Sequence, residues 1–228
     1  MHERQLMTNE EHQQAIYSRR FTGIEERRMD IWQTLSQNYF HRWIKPTDTV
    51  LDLGAGYCEF INSIPAGQKY ALDSNPDTAK KAGAGVTVLS QNAAQTWPLS
   101  SHSIDVVFTS NFFEHLPSKQ ELSQCLTEAY RVLRPEGRLI ALGPNIRFCS
   151  ENYWDYVDHH LPLSDRSLAE ALEITGFQSE RIIPRFLPFT MNNRVPHRAF
   201  MLRIYLRLPF VQRLLGKQFL IVARKPKP

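Results

Sequence analysis

Two carboxylates twenty-one residues apart, Asp52 and Asp73, carry the first chemical signal in this chain. Residues 50–56 read Val-Leu-Asp-Leu-Gly-Ala-Gly, and residues 70–73 read Tyr-Ala-Leu-Asp. A short apolar, β-branched run is a buried strand, and glycines after it let the backbone turn tightly and approach a ligand closely. An acid that ends the next strand can accept hydrogen bonds from both hydroxyls of a ribose, so the pair describes a site for an adenosine-containing cofactor. A dinucleotide needs Gly-x-Gly-x-x-Gly, so that a helix N-terminus can hold its pyrophosphate. Here Glu59 takes the third glycine position, and its carboxylate argues against NAD or FAD.

Histidines supply the second signal, because imidazole titrates where a general base for a hydroxyl must. His115 lies in Glu-His-Leu after a strand running to Ser110, and His159 and His160 close the aromatic stretch Tyr153-Trp154-Asp155-Tyr156-Val157-Asp158-His159-His160. These three are the candidate catalytic residues. His115 competes with a role in orienting its own loop. Asp155, Asp158, His159 and His160 are metal-ligating types, but no metal is assigned.

Asp52-Leu-Gly-Ala-Gly resembles motif I of the class I S-adenosylmethionine (SAM) dependent methyltransferases, in the branch that acts on small molecules. Their cofactor has no phosphate and carries a sulfonium and an amino group, so Glu59 poses no conflict. Cys58 replaces the last glycine of the family pattern. The resemblance continues in order over about residues 48–143: Asp73 as the ribose acid, Gln91-Asn92-Ala93-Ala94 after the strand 86–90, Ser103–Ser110 as the fourth strand, then Asn111-Phe112-Phe113-Glu114-His115. It implies cofactor contacts from Tyr17, Asp52, Gly54, Ala55, Gly56, Asp73, Ser74, Asn75, Asn92, Ala93, Ser110 and Asn111. Asn92 would meet the adenine amino group through its amide oxygen. Asp52 as a backbone cap, Asp73 as a turn residue, Asn92 as a loop amide and Tyr17 as a core aromatic are the competing structural readings. The family also includes non-catalytic SAM-binding regulators, which stay open as an alternative.

These residues need a mostly parallel sheet to position them. The sequence predicts a Rossmann-like seven-stranded α/β domain with helices on both faces and an antiparallel final strand. An N-terminal helical segment covers 1–46, with its helix at 24–44, and the core covers 47–183. Within the core, 163–175 is a helix stopped by Gly176 and 177–183 is strand six. A helical insertion at 184–216 precedes a closing strand at 217–224. With 228 residues the chain is long enough for one such domain. Three scattered cysteines fit a reducing compartment, the polar residues 1–20 lack the form of a secretory signal, and a cytoplasmic location is expected.

The net charge of +4 hides a split: residues 1–180 sum to −7, whereas 181–228 carry 11 basic and no acidic side chains. Within 195–216, Arg198, Arg203, Arg207 and Arg213 interrupt apolar runs, and Pro209 should break the helix. Two helices packed on the domain with solvated arginines are one reading. The other is a surface that rests on anionic lipid or grips a lipid-linked or anionic acceptor. No nucleic acid is expected, since no recognised module accompanies the basic face. The loop after strand four lacks the Asn/Asp-Pro-Pro-Tyr/Phe of nucleic-acid amino-methylating enzymes, and the acids of catechol-type enzymes are not evident. The expected acceptor is therefore a small molecule, methylated on oxygen: a sugar, a lipid-linked glycan or another amphiphile.

Overall fold

The structure, a computed structural model, describes residues 9–189 and 199–227, without the side chains of 9–13 and Tyr17. Chain order begins with two helices, α1 (Asn9–Phe21) and α2 (Glu25–Asn38). Alternation then sets in with β1 (Thr49–Leu53), α3 (Glu59–Ser63), β2 (Gln68–Asp73), α4 (Asp77–Lys81) and β3 (Val86–Ser90). The second half runs β4 (Ile104–Ser110), α5 (Lys119–Val132), β5 (Leu133–Pro144), α6 (Ile146–Tyr153), α7 (Asp165–Thr175) and β6 (Gln178–Ile183). Two helices, α8 (Ala199–Arg207) and α9 (Pro209–Leu215), precede the last strand, β7 (Gln218–Arg224).

One seven-stranded sheet has the order β3-β2-β1-β4-β5-β7-β6. The first five strands in this order are parallel, and β7 slots antiparallel between β5 and β6, placing Val222 opposite Ile140 and Arg181. Side chains alternate across the sheet, as strand geometry requires. Leu51, Leu53 and Ile221 join α5 and α7 in a core on one face, while Val50, Leu220 and Val222 join α2, α3 and α8 in a core on the other. Burying both faces explains the near-continuous apolar runs of β1 and β7.

Local chemistry sets the helix limits. Along α5, Leu122, Cys125, Leu126, Ala129 and Val132 fall on one buried stripe, and Ser118 caps its first turn by accepting the Glu121 N–H at 3.2 Å. Ser164 and Ser167 form a reciprocal cap at the start of α7, so this helix begins at Asp165 rather than at residue 163. The expected helix over 24–44 instead ends at Asn38 and is followed by a single 3₁₀ turn, Phe40–Arg42. Pro209 stands at the first position of α9, where its missing N–H costs nothing, and divides the insertion as expected. Tyr205 anchors α8 by donating its hydroxyl to Phe186 O at 2.7 Å. No helix among the described residues is long and apolar enough to cross a membrane.

Candidate functional site

The site lies at the carboxyl ends of β1 and β4, where ligands bind in open α/β sheets. All five residues of β1 are buried, and the chain leaves it through Gly54 at φ +71° and Gly56 at φ +51°. The Gly54 N–H donates to Leu72 O at 2.8 Å, which ties this loop to β2. A Cβ on Gly54 would stand 2.4 Å from two ring carbons of Phe112. Cys58 takes φ +62° just before α3, a left-handed conformation that explains why glycine is usual there. A side chain in that region costs about 1–2 kcal/mol. The Cys58 thiol is enclosed, and burial, helped by the Asp52, Asp73 and Glu59 charges, pushes it up to about 12, so it is a packing group rather than a thiolate.

Three carboxyl groups surround this loop. Asp52 is buried and held well above the usual carboxylate range, by burial first and then by Glu59 and Asp73. Asp73 accepts the Gly56 N–H at 2.7 Å and the Asn75 N–H at 2.8 Å. Burial raises it and these bonds oppose the shift. The Ser74 backbone also bonds this carboxyl, and since a carboxylate has about four acceptor sites, one remains for a ribose hydroxyl. Glu59 opens α3 and pairs with Arg28 at 2.6 Å. A cationic, phosphate-free adenosyl cofactor fits this acidic cradle, and a Cβ at Gly54 would fill the space the loop leaves beside Phe112.

The opposite wall comes from the loop after β4 and the stretch after α6. The His115 Nδ1 meets Asp158 O at 2.9 Å and lies 3.3 Å from Asp158 Oδ2, so its Nε2 stays open. Asp158 is held in turn by both guanidinium nitrogens of Arg20, whose plane lies over the Tyr156 ring. Burial alone would raise Asp158, but Arg20 and His115 outweigh it and set the carboxyl below its ordinary range. His159 stacks on Tyr156 with centroids 4.9 Å apart and meets the His115 ring edge-on at 5.0 Å. Burial, and then the His115 charge, pulls His159 down to about 4, so it is neutral at pH 7. Glu114 beside them is buried and pushed up to about 7 by that burial, against the opposing His115 charge.

The cleft between these walls is lined by Asp52, Gly54, Ala55, Gly56, Ser110, Asn111, His115 and His159 among the expected residues. Asp73 stands directly behind Gly56, half-buried, while Ser74 and Asn92 are exposed on the ledge beyond it. Asn75 and Ala93 are buried in that ledge, Asn75 accepting the Asp77 N–H at 2.9 Å. Asn92 accepts the Ala94 N–H at 2.7 Å, a local turn that engages the amide oxygen expected to meet adenine. His160 departs from expectation: its side chain is exposed and outside the cleft lining, and only its backbone N–H reaches the site, donating to Glu114 O at 2.8 Å. The Tyr17 side chain and Arg198 lie outside the described residues. The cleft also takes Arg20, Arg28, Glu59, Glu114 and Tyr156, which sequence reasoning did not assign to it. For Glu114 a signal existed, its place beside His115. For the arginines there was none, because they reach in from helices outside the sheet.

Residues 51–141 match a family model described as "Methyltransferase domain". Malonyl-[acyl-carrier protein] O-methyltransferase of Methylococcus capsulatus is 26% identical, over 73% of this chain and 65% of that protein. The chain spans less than two thirds of the length of the curated relatives it matches. Among solved structures, a SAM-dependent methyltransferase from Archaeoglobus fulgidus superposes with TM-score 0.66 at 21% identity, covering 90% of this chain and 99% of that one. The complex between the Haloferax volcanii Trm112 methyltransferase activator and a methyltransferase gives TM-score 0.70 at 18% identity, covering 98% and 100%. At such identities the structures establish the shared fold.

Proposed function

We propose that this chain, whose domain and fold are those of the class I SAM-dependent methyltransferases, transfers a methyl group to an oxygen of a small amphiphilic acceptor, a sugar, lipid-linked glycan or similar molecule. Asp52, Gly54, Ala55, Gly56, Asp73, Ser110 and Asn111 hold the cofactor, with Ser74, Asn75, Asn92, Ala93 and Tyr17 completing its adenosyl end. Bound there, SAM supplies a methyl carbon whose C–S bond breaks, its electron pair passing to sulfur, as the acceptor oxygen bonds to that carbon. The acidic loop favours the cationic reactant over its neutral product. The opposite wall, formed by Glu114, His115 and His159, meets the acceptor hydroxyl and eases loss of its proton. Asp158 orients His115 for this, and Arg20 fixes Asp158. His160 takes no part.

The observation that carries the reading is the pairing of an acidic glycine loop with an imidazole-lined wall across one cleft. An oxygen acceptor agrees with the name of the Methylococcus capsulatus relative. An amphiphilic acceptor is favoured by α8 and α9, where Phe200, Phe210 and Leu214 are 68%, 62% and 70% exposed beside the exposed Arg203, Arg207 and Arg213. Apolar contact plus basic attraction is how an interfacial surface holds an anionic amphiphile. Calorimetric titration with S-adenosylhomocysteine tests the cofactor: micromolar binding by the wild type and loss in Asp73→Ala are expected. A following acceptor screen should begin with sugars and lipids. A wild type that binds the nucleoside but turns over no acceptor would point to a non-catalytic SAM-binding protein instead.

A further inference from the structure

Three side chains on the acceptor wall are arranged in a way that a general base alone does not require. Glu114, His115 and His159 can each present one ligand atom, all within 4.8 Å of one another. Two of the three residues are buried, Glu114 at 3% and His159 at 8% exposure. Among the described residues the Nδ1 of His159 is enclosed without a hydrogen-bond partner, a costly state for an imidazole. His115 is turned by Asp158 through Nδ1, leaving Nε2 free. A backbone carbonyl on the second ring nitrogen, here Asp158 O at 2.9 Å, is an arrangement that commonly orients a metal-bound imidazole, fixing the tautomer and raising basicity. Arg20 then holds the Asp158 carboxylate, so the orienting residue is itself anchored.

We propose that Glu114, His115 and His159 form a divalent metal site that faces the cleft, taking a first-row transition ion such as Mn²⁺, Fe²⁺ or Zn²⁺. Two imidazoles and one carboxylate suit such ions better than Mg²⁺ or Ca²⁺, which favour all-oxygen sets. Metal–ligand bonds of about 2.1 Å place neighbouring ligand atoms roughly 3.0–3.4 Å apart, so small side-chain rotations close the set. Three protein ligands would leave open positions toward the cleft, where two oxygens of an acceptor could bind and the acidified hydroxyl would pass its proton to solvent water in the open cleft. The site thereby deepens the transferase reading on which its role rests: it favours acceptors with neighbouring oxygens, such as a vicinal diol or a hydroxy acid.

The test is a Co²⁺ titration of the chelator-stripped full chain, followed by visible absorption, with Zn²⁺, Mn²⁺ and Mg²⁺ as competitors. One Co²⁺ per chain is expected, displaced by Zn²⁺ and unaffected by equimolar Mg²⁺. Glu114→Gln and His159→Gln should each weaken binding at least tenfold. S-adenosylhomocysteine titration of every variant reports whether the fold and cofactor loop persist. Absent Co²⁺ binding in a wild type that binds S-adenosylhomocysteine overturns the metal site and leaves the transferase reading standing. Unchanged Co²⁺ affinity in both ligand variants overturns it equally. One Co²⁺ bound through these residues in a chain that ignores S-adenosylhomocysteine supports the metal site and sinks the transferase reading.

Discussion

Replacing Gly54 by alanine isolates the feature on which the cofactor loop depends. The substitution adds one carbon in a backbone at φ +71°, where an L side chain costs about 1–2 kcal/mol. The new Cβ would lie 2.4 Å from Cγ and Cδ2 of Phe112 and 2.7 Å from its Cβ. Carbon atoms rest at about 3.5–4.0 Å, and the struck atoms are the near end of the ring, so Phe112 cannot evade the contact by swinging its tip. Overpacking of this kind costs about 1–3 kcal/mol. The expected loss is therefore about 2–5 kcal/mol, large beside a total stability of about 5–15 kcal/mol.

A double-mutant cycle separates the two causes. In a Phe112→Gly background all three contacts vanish, and Gly54→Ala should then cost only the backbone share, about 1–2 kcal/mol. Urea unfolding of the four proteins gives the coupling directly, provided the slope is unchanged across the set. S-adenosylhomocysteine affinity should fall at least tenfold in Gly54→Ala alone and recover in part in the double variant. Equal cost of Gly54→Ala in both backgrounds, or a cost below about 0.5 kcal/mol, would refute the claim that Phe112 shapes the loop.

Asp52 gives a pH prediction whose sign is fixed by its raised carboxyl. The folded chain holds this proton more tightly than the unfolded one, so the Asp52 contribution to stability falls as pH rises above the ordinary value of 3.8. Asp52→Asn should thus raise apo stability at pH 7 and flatten its fall as pH rises above 3.8, while weakening S-adenosylhomocysteine binding. A variant less stable than wild type at pH 7 in urea unfolding contradicts this. Arg28→Ala leaves a nearly buried Glu59 without its 2.6 Å partner and should cost about 1–3 kcal/mol, part of it restored by adding Glu59→Gln. Calorimetric unfolding of both variants checks this, and no recovery in the double variant would mean the guanidinium acts by packing on Phe21 instead. For α8 and α9, changing Arg203, Arg207 and Arg213 to glutamine should cut cosedimentation with anionic vesicles by about a hundredfold, at roughly 1 kcal/mol per charge. Equal wild-type binding to neutral vesicles, or none to anionic ones, removes lipid contact as the role of this face.

Much of the fold was legible because buried parallel strands demand apolar runs that end in turns. Val50–Gly56, the strand at 86–90 and the strand ending at Ser110 stand out for that reason alone. The antiparallel final strand followed from the family resemblance, and β7 runs antiparallel to both its neighbours. Helix α1 was not legible. Its sequence, Asn-Glu-Glu-His-Gln-Gln-Ala-Ile-Tyr-Ser-Arg-Arg-Phe, has too few apolar positions to show a period. The cleft-lining residues near the glycines were readable because the backbone itself forms that wall. Those of the opposite wall were not, because their place depends on which of two adjacent side chains points inward. His159 and His160 look alike in sequence, but Tyr153 and Tyr156 enclose the first while the second is exposed. Glu114 was passed over for a related reason. A carboxylate beside a histidine reads as a solvated loop residue until the His160 and Leu161 N–H groups are seen bonding its carbonyl and burying it.

The charge split along the chain takes on a meaning once these residues are placed. Asp52, Glu59 and Asp73 crowd acidic groups around one loop, with Arg28 paired to Glu59. Such crowding raises Asp52, so it is a standing cost of the empty fold. A cationic ligand at the loop would relieve it, and loss of that ligand's charge on transfer would restore it, which favours exchange of product for fresh reactant. The basic excess lies in a different part of the chain, on exposed faces of α8, which packs against α2, and of α9, which packs against α8. Arginines meant to neutralise the body would be expected in ion pairs with it, yet among the described residues Arg203, Arg207 and Arg213 form none. Opposite charges kept apart in this way argue for two different partners: a small cation at the loop, and an anionic, partly apolar one on the helices.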